Sequence, residues 1–145
     1  MEKKALTIFL VSIIVVFLDQ VTKIFVEKNI SNSVSVLGNF FQLTLVKNTG
    51  SIFGLFHNQN TLIIWFSIVV IGFILYYYDK IPDEASTKFF VALILGGAIG
   101  NLIDRYRVGY VIDFIDFSFW PTFNLADSAL TIGIIVLMLY IYKKK

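Results

Sequence analysis

The sequence predicts a membrane protein, mainly α, with four transmembrane helices and, on the outer face, a small β-sheet and an interfacial segment. Composition is the first observation: 57% of the 145 residues are hydrophobic and only 15% charged, where soluble domains carry about a quarter. Mean hydropathy, at +0.80, is the second. The third is the distribution of the apolar residues, which gather into runs close to the roughly 20 residues a helix needs to cross the hydrocarbon core. The length allows one compact bundle, a single integral membrane domain over residues 1–145.

The first run, Ala5 to Val26, follows Lys3 and Lys4 as a signal peptide would, but no small-residue cleavage site follows it, and Ile24, Phe25 and Val26 prolong it. It is expected to stay as a helix. Thr61 to Tyr78, Lys88 to Ile103 and Asn124 to Tyr142 supply the other three. An even number of crossings puts both termini on one side. Lys3 and Lys4 with Lys143, Lys144 and Lys145 place that side in the cytoplasm, and Asp79 to Lys88 then becomes a short inner connection. Glu27 to Asn60 and Asp104 to Phe123 face outward.

Within the first outer loop, residues 33–48 carry β-branched and aromatic runs on both sides of Gly38-Asn39, a two-residue hairpin signal. "VIDFIDFSFW" in the second is aromatic and acidic without spanning length, and reads as an interfacial segment leading into the fourth helix. Its Phe114, Phe117, Phe119 and Trp120 suit either a lid or an interfacial aromatic belt.

The net charge of +2 comes from lysines at the termini, which bears on topology and gives no basic stripe for nucleic acid. Cysteine is absent and His57 is the single histidine. Disulfides, thiol nucleophiles and zinc sites built on Cys or paired His are thereby excluded.

The polar residues stand out against this background. Asp19 and Lys23 lie one turn apart near the outer end of the first helix, where an acid-before-base pair supports a helix, and a functional role is equally open. In "GGAIGNLIDR", Gly96 and Gly100 form a small-residue face for close helix packing, and Asn101, Asp104 and Arg105 mark the helix's outer end, where the charged pair alone reads as solvated. Asn124 suits the cap of the fourth helix, with Asp127 at its third position completing a capping box. Asp113 has no such explanation, because Val111, Ile112, Phe114 and Ile115 around it are all apolar. Turned inward, it meets the start of the fourth helix and Asp127.

Two carboxyls facing each other in a partly desolvated pocket share a proton. The ionised one takes a proton from a water, and the protonated one hydrogen-bonds a scissile carbonyl. No metal or cofactor is required. Asp116 takes part instead only if its segment is helical, because an extended chain sends Asp113 and Asp116 to opposite faces.

The ordered blocks "DQVTK" (Asp19 to Lys23), "NTGSIFG" (Asn48 to Gly54), "GGAIGNLIDR" (Gly96 to Arg105), "VIDFIDF" (Val111 to Phe117) and "FNLADS" (Phe123 to Ser128) closely resemble the signal peptidase II family, the lipoprotein signal peptidases. The resemblance implies a four-helix membrane bundle with an outer β-cradle. It also implies an aspartic endopeptidase that removes the signal peptide of diacylglyceryl-modified prolipoproteins, cutting before the lipidated cysteine. Carried over, the catalytic aspartates fall on Asp113 and Asp127. Asn48, Gly50, Asn101, Arg105 and Asn124 take substrate-binding or dyad-supporting places, Asp19 and Lys23 support the structure, and Asp116 is a bystander. Ser51 and Ile52 depart from the alanines common in the family, and thirteen residues between the aspartates make a tight connection.

The resemblance implies as partners the prolipoprotein and membrane lipid, no nucleic acid, and a place in the bacterial cytoplasmic membrane with the active site near the outer face. Two rival readings follow from the residues alone. One is a serine peptidase using Ser51 or Ser128 with Lys23 or Lys47 as base. The other is a small proton- or cation-coupled transporter or membrane assembly subunit, which places its acids near the bilayer midplane.

Overall fold

The computed structural model describes residues 2–31, 33–50 and 59–144. Each apolar run folds as a helix: α1 (Glu2–Asn29), α2 (Asn60–Tyr76), α3 (Ala85–Val108) and α4 (Leu125–Lys143). Between them the chain forms four strands, β1 (Val34–Leu37), β2 (Phe41–Asn48), β3 (Val111–Phe117) and β4 (Trp120–Phe123). These build one antiparallel sheet in the order β1-β2-β3-β4.

Three helical stretches, Lys3–Asn29, Ala85–Val108 and Leu125–Lys143, are long and apolar enough to cross a membrane, with mean hydropathy 2.2, 1.6 and 1.9. The fourth expected span is shorter than predicted. α2 has 17 residues, at the lower limit of about 17 for a crossing, because the chain tightens into a 3-10 turn at Tyr78–Lys80. α1 and α4 turn phenylalanine, leucine, isoleucine and valine outward along their length, as helices solvated by lipid do.

α3 is the central helix and packs against α1, α2 and α4. Its glycines allow the close approach. A Cβ on Gly97 would collide with the Ala126 carbonyl at the start of α4, and one on Gly100 would stand 2.7 Å from Asp19 Oδ2 of α1. The small-residue face expected of Gly96 and Gly100 therefore meets α1 and α4 at backbone distance. α3 continues five residues past the expected end at Ile103 and stops at Gly109, whose φ of +84° suits a left-handed cap and whose N–H bonds Arg105 O at 3.2 Å.

The hairpin expected at Gly38-Asn39 forms between β1 and β2, with Gly38 at φ +53° and Phe40 as a third turn residue. The segment "VIDFIDFSFW", expected to be interfacial, forms strand β3 and its turn into β4, and β3 pairs with β2 along Phe41↔Phe117 to Asn48↔Val111. Pairing satisfies its backbone, and Val111 to Phe114 are buried. At the opposite end of the bundle, Lys4 of α1 donates to the carbonyls of Tyr78 at 2.7 Å and Ile81 at 2.6 Å, tying the α2–α3 connection to α1.

Candidate active site

The sheet, the outer end of α3 and the first turn of α4 meet at Asp113 and Asp127. β3 delivers Asp113, which is 1% exposed, toward the helices. Asp116, three positions on, lies on the other face of the strand and accepts from Thr44 Oγ1 at 3.1 Å, as an extended chain requires. Asp127 sits at the third position of α4, and the expected capping box is present: its N–H donates to Asn124 Oδ1 at 2.8 Å and its carboxylate accepts from Asn124 N at 3.3 Å.

Asn124 touches both aspartates. While its backbone and side-chain oxygen hold Asp127, its Nδ2 donates to Asp113 Oδ1 at 2.6 Å. Two further amides complete the cradle. Asn48 Nδ2 donates to Asp113 Oδ2 at 2.8 Å from the neighbouring strand, and Asn101 Nδ2 donates to Asp127 Oδ1 at 2.7 Å from α3. Each amide is itself oriented: Asn48 Oδ1 accepts from Gly50 N at 2.9 Å, and Asn101 Oδ1 from Lys23 Nζ at 2.9 Å and Asn124 Nδ2 at 3.2 Å. Burial and the nearby Asp127 carboxyl push the Asp113 pKa up to about 7, against the hydrogen bonds from Asn48 and Asn124, which favour the charged form.

Beneath this pair lies a second group of acids. Lys23 Nζ stands 2.8 Å from Asp19 Oδ2 and 2.8 Å from Asp104 Oδ2, with all three side chains at most 1% exposed. With Asn101 as the third acceptor, every ammonium hydrogen is used. Asp19 also reaches across to α4 and accepts from Ala126 N at 2.9 Å, so α4's first turn is capped from within by Asn124 and from α1 by Asp19. The solvated helix end expected of Asp104 and Arg105 is thus overturned, since both are buried. Arg105 Nη2 donates to Gly50 O at 2.6 Å and Nη1 to Asn60 Oδ1 at 3.2 Å, fixing the end of β2 and the start of α2.

All nine expected site residues therefore occupy one connected region: Asp113, Asp127, Asn48, Gly50, Asn101, Arg105, Asn124, Asp19 and Lys23. Two members escaped the sequence reading. Gln20 Nε2 donates to Asp104 Oδ1 at 2.9 Å, Gly100 O at 3.2 Å and Asp19 Oδ2 at 3.2 Å, and Asn60 exchanges bonds with Arg105 in both directions. Both stand among other polar residues, Gln20 beside Asp19 and Asn60 after Asn58 and Gln59, so nothing in the sequence sets them apart. Ser51 to Gly54 of the second block, and His57, lie outside the described residues.

The serine reading finds no support in the described geometry. Ser128 Oγ donates to Asn124 O at 2.9 Å, Lys23 is committed to two carboxylates, and Lys47 lies over the Tyr110 ring at 5.0 Å. No group of three or more His, Cys, Asp or Glu able to hold a metal is found among the described residues.

A bundle of apolar helices topped by a small sheet, with two carboxyls held by amides where the two meet, defines a membrane protein with a buried and a half-buried acid side by side. Comparison with known proteins narrows this class. The description "Signal peptidase (SPase) II" matches residues 11–143. The lipoprotein signal peptidase of Halothermothrix orenii is 42% identical over 95% of this chain and 97% of its own. That of Caldanaerobacter subterraneus subsp. tengcongensis is 47% identical over 85% and 87%. A solved structure described as a bacterial membrane enzyme superposes with a TM-score of 0.86 at 33% identity, over 94% of this chain and 88% of that one. The chain belongs to the signal peptidase II family, and is accordingly a peptidase.

Proposed function

We propose that the protein removes the signal peptide of diacylglyceryl-modified prolipoproteins, cutting before the lipidated cysteine, and that Asp113 and Asp127 are its catalytic pair. The observation that carries this reading is Asn124, which bonds both carboxyls at once in a site where amides, and no cation, contact them among the described residues. The names of the relatives support the substrate class.

With one proton between them, one carboxyl removes a proton from water while the other donates to the scissile carbonyl, stabilising the oxyanion as the tetrahedral intermediate forms. The proton then passes to the leaving amide nitrogen. The amides of Asn48, Asn101 and Asn124 hold both carboxyls in place throughout. Arg105, by holding Gly50 and Asn60, shapes the entrance between β2 and α2.

The orientation follows the lysines. Lys4 bonds the α2–α3 connection and Lys144 pairs with Glu84, so the lysine-bearing ends of α1 and α4 gather at the end of the bundle opposite the acid pair. On the positive-inside rule this end is cytoplasmic, and the acid pair lies near the outer face of a bacterial cytoplasmic membrane. A substrate anchored by acyl chains reaches it by lateral diffusion.

The test is cleavage of a diacylglyceryl-modified prolipoprotein by the purified protein in detergent, read by gel mobility. Asp113→Asn and Asp127→Asn each lower the rate by roughly 10³-fold or more, and Asp116→Asn cleaves as the parent does. An intact substrate after incubation with the parent protein, or cleavage by both asparagine variants, overturns the reading.

A further inference from the structure

Each aspartate of the proposed pair is preceded by a residue whose backbone N–H is held by an acid outside the pair. Ala126, just before Asp127, donates to Asp19 Oδ1 of α1 at 2.9 Å. Ile112, just before Asp113, donates to Asp104 Oδ2 of α3 in a longer bond of 3.5 Å. The two holds are matched in position and come from different helices.

The strand has need of its hold. β4 pairs only with Ile115 and Phe117, so β3 runs on past its neighbour's end, where Val111 to Phe114 are buried. A buried N–H there requires an acceptor, and Asp104 supplies it to Ile112 while Asn124 of α4 bonds the Ile112 carbonyl at 3.3 Å.

The two outer acids are themselves bridged twice from α1. Lys23 Nζ stands 2.8 Å from Asp19 Oδ2 and 2.8 Å from Asp104 Oδ2. Gln20 Nε2 reaches Asp19 Oδ2 at 3.2 Å and Asp104 Oδ1 at 2.9 Å. A continuous chain of contacts therefore runs from the residue before Asp127 to the residue before Asp113, with Lys23 at its middle. Gly100 gives it room, since a Cβ there would stand 2.7 Å from Asp19 Oδ2.

We infer that Lys23 is a positioning residue for the reaction: through Asp19 and Asp104 it sets the distance between Asp113 and Asp127. The inference rests on the proposed function, in which those two carboxyls share one proton, because such sharing depends on their separation. The size of the bridging group then governs the rate. An ammonium is a compact point charge, whereas a guanidinium of equal charge is a broad planar fork that spaces its acceptors more widely. The charged groups around Asp113 are Asp127 on α4, Lys23 and Asp19 on α1, and Asp104 and Arg105 on α3, while β2 presents the neutral Asn48. Burial and then the Asp127 carboxyl push the Asp113 pKa up, so drawing the two acids apart lets it fall.

The experiment follows cleavage of a diacylglyceryl-modified prolipoprotein across pH by the parent protein, Lys23→Arg, Gln20→Leu and the control Ser12→Ala, with the unfolding temperature of each recorded in detergent. Ser12 donates to Ala92 O at 3.0 Å in the same α1–α3 contact, about two turns short of Asp19. Lys23→Arg keeps the charge, lowers kcat about tenfold or more, leaves KM within about twofold and moves the alkaline limb roughly half a pH unit toward acid. Gln20→Leu removes one of the two bridges and acts in the same sense to a smaller extent, which decides the matter if the arginine variant does not fold. Ser12→Ala lowers the unfolding temperature and changes neither kcat nor the limb. A role confined to charge or stability predicts instead that arginine restores kcat with the limb in place and that Gln20→Leu behaves as Ser12→Ala does. That result overturns the inference, while cleavage by the parent leaves the proposed function standing. Failure of the parent to cleave removes both.

Discussion

Two pairs of acids lie side by side in this bundle, and they are held in opposite ways. Asp19 and Asp104 share one ammonium, Lys23, at 2.8 Å from each. Asp113 and Asp127 are held by the amides of Asn48, Asn101 and Asn124. A cation between two carboxylates gives both a partner at once, which makes a strut. Amide donors orient carboxyls without supplying charge, the arrangement that the proposed sharing of one proton requires. Asn101 joins the arrangements, accepting from Lys23 and donating to Asp127.

The comparison breaks most severely at Lys23. Lys23→Met strands two buried carboxylates and is expected to cost about 3–5 kcal/mol of stability, read as a large drop in thermal unfolding temperature in detergent. Asn101→Ala tests the link: folding persists and kcat falls roughly 10–100-fold, because Asp127 loses its α3 donor. Acidity separates the two pairs. The Asp113 carboxyl, with its pKa raised to about 7, keeps the shared proton below that pH and loses it above, so kcat/KM falls about tenfold for each unit of pH beyond the limb. A profile still flat at pH 9 contradicts the shared proton. Smallest is Asp116→Asn, whose amide oxygen still accepts from Thr44 at this half-buried position, and which shifts stability by about 0.5 kcal/mol or less.

Much of this was legible before folding was considered. Helices are announced by runs of apolar residues, and the capping box at Asn124 and Asp127 by spacing alone, since both depend on neighbours in sequence. β3 was not legible as a strand because "VIDFIDF" carries apolar residues on both faces. Alternation vanishes where a strand is covered on each side, and only pairing with β2 reveals it. α3 was cut short at Ile103 for a related reason. Asp104 and Arg105 look like a solvated terminus until Lys23, Gln20, Asn60 and Gly50 arrive from other segments to satisfy them. Such long-range partners leave no local periodicity.

The bond from Ala126 N to Asp19, 107 positions earlier in the chain, ties the first helix to the last at the turn that carries Asp127. As the chain is made, α1 enters the bilayer long before α4, and the turn is complete only when the two have met across α3. A half-synthesised protein therefore carries no assembled acid pair. Under the proposed function, cutting begins only once the final helix has docked.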